Sequence, residues 1–65
     1  MGELTMTTIT ITNNLTGQVF YFYVEVINQT QLYARLRVLM AQLAVIENVN
    51  PANLSHTITS PLIAA

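Results

Sequence analysis

The sequence predicts an α+β fold in which one long helix packs on a small three-stranded sheet, in the order ββαβ. Three observations lead to this prediction. Helical periodicity runs through residues 29–47, period-two alternation marks the segments on both sides, and turn residues separate the first two strands. With 65 residues the chain is expected to form one domain, 1–65.

The first strand is dense in β-branched residues, which favour extended structure. Ile9 and Ile11 alternate with threonines, so one side of the strand should face a core. Leu4 and Met6 are out of phase with these isoleucines. A β-bulge near Thr7 would restore the phase, or the first residues form an arm that belongs to another surface.

The first strand (5–12) and the second (18–26) should be joined by the Asn-Asn-Leu-Thr-Gly turn at 13–17. Gly17 can close this loop with a positive φ. One face of the second strand carries Phe20, Phe22, Val24 and Val26. The other face carries Val19, Tyr21, Tyr23 and Glu25. We expect the phenylalanine face to meet the helix.

Capping residues mark both ends of the helix. Asn28 is an N-cap residue, and Gln31 three positions later completes a capping-box pattern. Asn48 can adopt the left-handed conformation after the last turn, and Pro51 follows shortly. These signals predict a helix at about 29–47.

The predicted helix is apolar on two sides. One stripe, at spacings of four and three, consists of Leu32, Leu36, Leu39, Leu43 and Ile46. A second stripe on roughly the opposite side consists of Ala34, Val38, Ala41 and Val45. One small sheet cannot cover both stripes. The second stripe either packs inside a curled sheet or meets the same stripe of a second copy, with Arg35 or Arg37 near the copy's Glu47.

The closing segment, Asn53 to Ile63, alternates in the manner of a third strand. Pro61 should lie at a sheet edge or beyond the last ladder hydrogen bond. A right-handed crossover can return this strand beside the first strand or beside the second. We prefer the first placement, in which the first strand is central and antiparallel to both neighbours.

The composition narrows the classes of function. Charged side chains make up 8% of the residues, against about a quarter in ordinary domains. A net charge of −1 with two arginines provides no basic patch for nucleic acid. The absence of cysteine and a single histidine argue against a metal site, and no cofactor is expected. A domain of this size and charge content is expected to be completed by other copies of itself.

The pattern of apolar residues predicts neither a signal peptide nor a membrane-spanning helix, which requires about 18 or more consecutive apolar residues. We therefore expect no membrane partner and a location that is cytoplasmic or associated with a virion or similar assembly.

Catalysis is not expected. Ser55 and His56 are consecutive in the predicted strand, so their side chains point to opposite faces and cannot form a nucleophile–base pair. His56 has two interpretations, a pH-sensitive contact or a partly buried strand residue between Leu54 and Ile58 with local hydrogen bonds. We favour the second, because the histidine has no acidic or histidine neighbours.

Three short segments carry a resemblance to known proteins: Asn14–Gly17, Gln31–Ala34 and Leu43–Ile46. On these segments the chain resembles small uncharacterised bacterial domains of the firmicute type, built as hairpin, helix and short strand. The resemblance covers about fifty residues and implies a similar layout but no activity. This chain departs from those domains in having neither lysine nor aspartate.

Two functions remain after these exclusions. The first is a non-enzymatic structural protein, of phage or bacterial type, that forms a homo-oligomer or a subunit of a virion, filament or shell. The second is a small adaptor or regulator that binds another protein through a sheet face of tyrosines and threonines. The predicted contact residues are Ala34, Val38, Ala41, Val45, Tyr21 and Tyr23.

Overall fold

The computed structural model describes residues 4–62. Its elements are β1 (Thr5–Asn13), β2 (Val19–Val26), α1 (Gln29–Glu47), a 3-10 turn (Pro51–Asn53) and β3 (Leu54–Thr59). This α+β architecture confirms the predicted fold class and the order ββαβ. The predicted lead-in before residue 4 and the predicted end of the third strand at Ile63 lie outside the described residues.

The three strands form one antiparallel sheet in the order β2-β1-β3. Strand β1 is therefore central, as predicted, and β2 and β3 are the two edges. Strand β3 ends at Thr59, earlier than predicted, because Pro61 has no N–H to donate to a further ladder bond. The prediction that Pro61 lies beyond the ladder is confirmed.

The predicted bulge near Thr7 is wrong. The pairing of β1 with β2 runs without a break from Thr5↔Val26 to Thr12↔Val19. Thr7 therefore stays on the same face as Ile9, where it is fully buried. Its hydroxyl donates a hydrogen bond to Ser60 Oγ at 2.8 Å, so a polar side chain occupies the core side of the sheet without an unpaired group.

The hairpin turn is organised by Asn13, which is almost fully buried. Its side-chain oxygen accepts a hydrogen bond from the Leu15 N–H at 3.0 Å, and its carbonyl oxygen accepts one from the Gly17 N–H at 2.7 Å. Gly17 has φ +78°, a left-handed conformation that costs glycine little. The predicted role of this glycine is confirmed.

The helix spans the predicted residues, because its ends are set by local hydrogen bonds. Asn28 Oδ1 accepts a hydrogen bond from the Gln31 N–H at 2.8 Å. The Gln31 side chain accepts in turn from the Ile27 N–H, one residue before the position of an ideal capping box. Asn48 has φ 54° and ψ 49° and donates its N–H to the last carbonyls of α1.

The core lies between one face of the sheet and one side of α1. Its buried apolar residues are Ile9, Ile11, Val24, Val26, Leu32, Leu36, Leu43, Ala44 and Leu54. Ile46, predicted to belong to the core stripe, is instead 74% exposed, and Ala44 is buried in its place. Side chains that repeat strictly every seven residues shift by about 20° per heptad around a straight helix. Ile46, two heptads after Leu32, has therefore turned away from the sheet.

Candidate functional site

The outer stripe of α1, defined as Ala34, Val38, Ala41 and Val45, is exposed along its whole length. Val38 is 53% exposed and Val45 is 80% exposed. At 3.6 residues per turn, the centre of this stripe lies roughly 170° around the helix from the side that carries Leu32 and Leu36. The sheet covers only the latter side, so the alternative of a curled sheet enclosing both stripes is wrong.

Apolar surface continues from the outer stripe towards the helix C-terminus. Ala41, Gln42, Val45 and Ile46 line a shallow depression on the solvent-exposed helix surface. The exposed Ile46 enlarges the patch beyond the residues predicted from the sequence. Ile46 is two heptads after Leu32, and at about 20° per heptad its side chain has turned roughly 40° from the Leu32 position, a shift that could have been counted from the sequence.

The polar residues beside the outer stripe differ on its two sides. Arg35 and Gln42 flank one side and Arg37 flanks the other, and all three are exposed. Glu47 is half-buried and lies on the helix surface that faces the sheet. Glu47 therefore lies away from the outer stripe, and its predicted pairing with an arginine of a second copy stays a prediction.

The sheet face that points away from the helix is a second uncovered surface, which we call the tyrosine–threonine face. The strand register places Tyr21 beside Thr10 and Thr10 beside Thr57. Tyr21 is 62% exposed and Tyr23, on the same face, is 70% exposed. Both predicted tyrosines are accessible, on the side of the molecule opposite to the outer stripe.

His56 is exposed rather than partly buried, contrary to the favoured interpretation. It lies on β3, which is an edge strand of the sheet that residues 4–62 form. With Tyr33, Leu36, Arg37 and Met40 it lines a cleft of about 310 Å³ between β3 and the helix. Ser55 points the other way, and its hydroxyl lies 2.8 Å from Asn14 Nδ2, which donates to it. The structure does not bring the serine and the histidine together.

Among residues 4–62, Ser55 is hydrogen-bonded to Asn14 rather than to His56, and no cluster of metal-ligating side chains is found. Within residues 4–62, no three side chains of the histidine, aspartate or glutamate type come close enough to hold a metal ion. In the same part of the chain, no helix has the length and apolar character needed to cross a membrane. The candidate sites are therefore surfaces, the outer stripe and the tyrosine–threonine face.

Comparison of the chain with models of known families, with curated proteins and with solved structures found no match. The resemblance to firmicute-type bacterial domains stays a prediction.

Proposed function

We propose that this protein is a non-enzymatic assembly subunit, in which two copies pair through the outer stripe to form a homo-oligomer or the building unit of a virion, filament or shell. The observation that carries the proposal is the exposure of Val38 and Val45 directly opposite the buried side of the helix. Valine side chains left in water lose the stabilisation that burial provides, about 1.5–3 kcal/mol for a side chain of this size when fully covered.

The residue order within the outer stripe favours an antiparallel pair. A two-fold axis midway between residues 39 and 40 sets Ala34 opposite Val45 of the second copy and Val38 opposite Ala41. Each large side chain then faces a small one, which lets the two helices approach closely. A parallel pair in register would instead place valine on valine and alanine on alanine.

The flanking residues are compatible with this arrangement. The same two-fold axis places Arg35 of one copy and Gln42 of the other at similar positions along the helix axes, on the same side of the pair. A guanidinium donates and an amide oxygen accepts, so this contact can be hydrogen-bonded. No two charges of the same sign are directly opposed along the stripe.

The small number of charged residues favours self-association over a monomeric state. With two arginines and three glutamates, the chain carries few of the charges that keep small domains apart in solution. The described surface adds the exposed side chains of Val45, Ile46, Tyr21 and Tyr23. Covering such surfaces with other copies lowers the apolar area in contact with water.

Sedimentation velocity over a range of protein concentrations tests the proposal. The wild-type chain should exceed the 7.2 kDa monomer mass, and Val38→Glu should lower that mass because a carboxylate would be buried in the helix contact. Tyr33→Glu is the matched control, since it adds the same charge to an exposed position on the same helix outside the stripe. A wild-type chain that stays at 7.2 kDa at every concentration refutes the proposal.

An adaptor role is the second candidate, and the exposure of Tyr21 and Tyr23 favours it. Tyrosines are enriched at protein contacts because they combine a large apolar surface with a hydroxyl. A chain whose mass changes only on addition of a host lysate, with Tyr21→Ser and Tyr23→Ser abolishing the change, would favour this role over self-assembly.

A further inference from the structure

Within residues 4–62, the edge of the sheet formed by β2 carries backbone groups that pair with no other strand. In an antiparallel ladder, alternate residues direct their N–H and C=O groups to the same neighbour. The Asn13 N–H donates to the Gln18 carbonyl at 2.9 Å, which extends the β1–β2 register. Even-numbered residues of β2 therefore bond to β1, and the odd-numbered residues direct their backbone groups to the open edge.

The β1–β3 hydrogen bonds define which residues of β3 face the other edge of the sheet. The Asn14 N–H donates to the Asn53 carbonyl at 2.8 Å, in register with the β1–β3 pairing. Odd-numbered residues of β3 therefore bond to β1, so its open edge presents three even-numbered residues within the strand. The β2 edge is longer, with backbone groups available on Val19, Tyr21, Tyr23 and Glu25.

The sequence of β2 reads similarly in both directions about Phe22. Tyrosines flank Phe22, and Phe20 and Val24 flank the tyrosines. In a two-fold antiparallel pair centred on Phe22, all four residues with open backbone groups are hydrogen-bonded, as Val19 with Glu25 and Tyr21 with Tyr23 of the other copy. A shift of this centre along the strand leaves at least one of these residues unpaired.

The side chains along this edge are suited to such a pair. Phe20 and Phe22 are packed against the core but only half-buried, and the pair would set Phe22 against Phe22 of the second copy. On the other face, each exposed tyrosine would lie beside a tyrosine. Lysine, proline or a bulge normally protects an edge strand, and β2 has none of these.

The charge distribution is also compatible with self-pairing. Glu25 is the only charged residue of β2, and in the centred register it faces Val19. The two glutamates then lie at opposite ends of the contact, about 20 Å apart along the strands. Like charges are not opposed, and no charged side chain is enclosed between the strands.

We propose that the β2 edge is a second self-association surface, whose occupant is β2 of another copy, in the register centred on Phe22. This inference rests on the proposed assembly function and specifies a second contact for it. The two-fold axis is perpendicular to the sheet, so the two sheets become one six-stranded sheet with both helices on the same face. The outer stripes remain open, and each copy can make both contacts at once.

Variants that block the open edge test the proposal. Tyr23→Pro removes an N–H that the β1–β2 ladder does not use, so it should prevent edge pairing while leaving the hairpin intact. Tyr21→Lys adds a charge to the same edge. Thr57→Lys is the matched control, because Tyr21 and Thr57 are the two cross-strand neighbours of Thr10 and only Tyr21 lies on β2.

Sedimentation velocity should give a wild-type mass above that of a dimer, since two contacts are available. The two β2 variants should reduce the assembly to a dimer, Val38→Glu should do the same, and Tyr23→Pro with Val38→Glu should give the 7.2 kDa monomer. If Tyr23→Pro and Tyr21→Lys leave the wild-type mass unchanged while Val38→Glu lowers it, the edge contact is refuted and the helix contact stands. Circular dichroism identifies any variant that fails to fold.

Disulfide formation tests the register, on a chain that has no cysteine of its own. Tyr21→Cys and Tyr23→Cys variants, mixed under mild oxidation, should cross-link to each other, because hydrogen-bonded pairs have Cα atoms about 5.5 Å apart. Two copies of the same variant place these atoms roughly 8–9 Å apart, beyond disulfide reach. Cross-links mainly within one variant, or none, would overturn the proposed register even in a variant that folds normally.

Discussion

Truncation of Val45 to alanine should change stability in opposite directions in the single chain and in the paired assembly. Val45 is 80% exposed in the structure, so a single copy covers only about a fifth of the side chain. Alanine has the highest intrinsic helix propensity, and valine is less favourable. The outcome therefore depends on whether a second copy covers this position.

The two effects can be estimated from the exposure. Valine to alanine removes two methylene equivalents, worth about 1.6 kcal/mol when fully buried, of which roughly 0.3 kcal/mol applies to the single chain. Helix propensity favours alanine by about 0.5 kcal/mol, so the single chain should be stabilised slightly. In the pair, the full loss outweighs the propensity and destabilises each copy by about 1 kcal/mol.

Thermal unfolding at several protein concentrations measures both regimes. At low concentration the Val45→Ala variant should unfold at the wild-type temperature or slightly above it. At high concentration its midpoint should fall below the wild type by about 4–8 °C, the shift that 1 kcal/mol produces in a domain of this size. Leu36→Ala, at a buried position of the same helix, should destabilise the protein at every concentration. A Val45→Ala effect that does not depend on concentration would refute the helix contact.

Two further substitutions test the internal hydrogen bonds. Asn28→Ala should lower the free energy of unfolding, measured by urea denaturation, by about 1 kcal/mol, because the Gln31 N–H loses its acceptor. Asn28→Ser should retain most of the stability, and equal stability of the wild type and both variants would contradict the capping role. Thr7→Val should lower the free energy of unfolding by about 1 kcal/mol, because the hydrogen bond to Ser60 is lost. A double-mutant cycle with Ser60→Ala should show coupling between the two residues, and strictly additive effects would mean that the bond does not contribute to stability.

The features predicted correctly from the sequence are those set by local interactions. The helix limits follow from Asn28 and Asn48. The Asn28 side chain accepts a hydrogen bond from a free N–H at the helix start, and the Asn48 N–H donates to carbonyls at the helix end. The turn follows from Asn13 and Gly17 for the same reason. The exposure of Tyr21 and Tyr23 follows from period-two alternation, once Phe20 and its neighbours on the same face are assigned to the core.

The errors concern residues whose environment depends on distant parts of the chain. Thr7 is buried because Ser60, 53 positions away, accepts its hydroxyl hydrogen bond, so no bulge is needed. His56 is exposed because β3 is an edge strand. Ile46 is exposed because the heptad drift turns its side chain away from the sheet near the end of the helix. The environments of Thr7 and His56 are not encoded by neighbouring residues, whereas the drift at Ile46 can be counted from the sequence.

The positions of the turns, caps and strands, and the presence of two apolar sides on one helix, are properties of the local sequence, because hydrogen bonds and side-chain periodicity act over a few residues. Tertiary packing selects which apolar side is buried. One face of the three-stranded sheet packs against one side of the helix, so Leu36 is covered while Val38 and Val45 remain in contact with water.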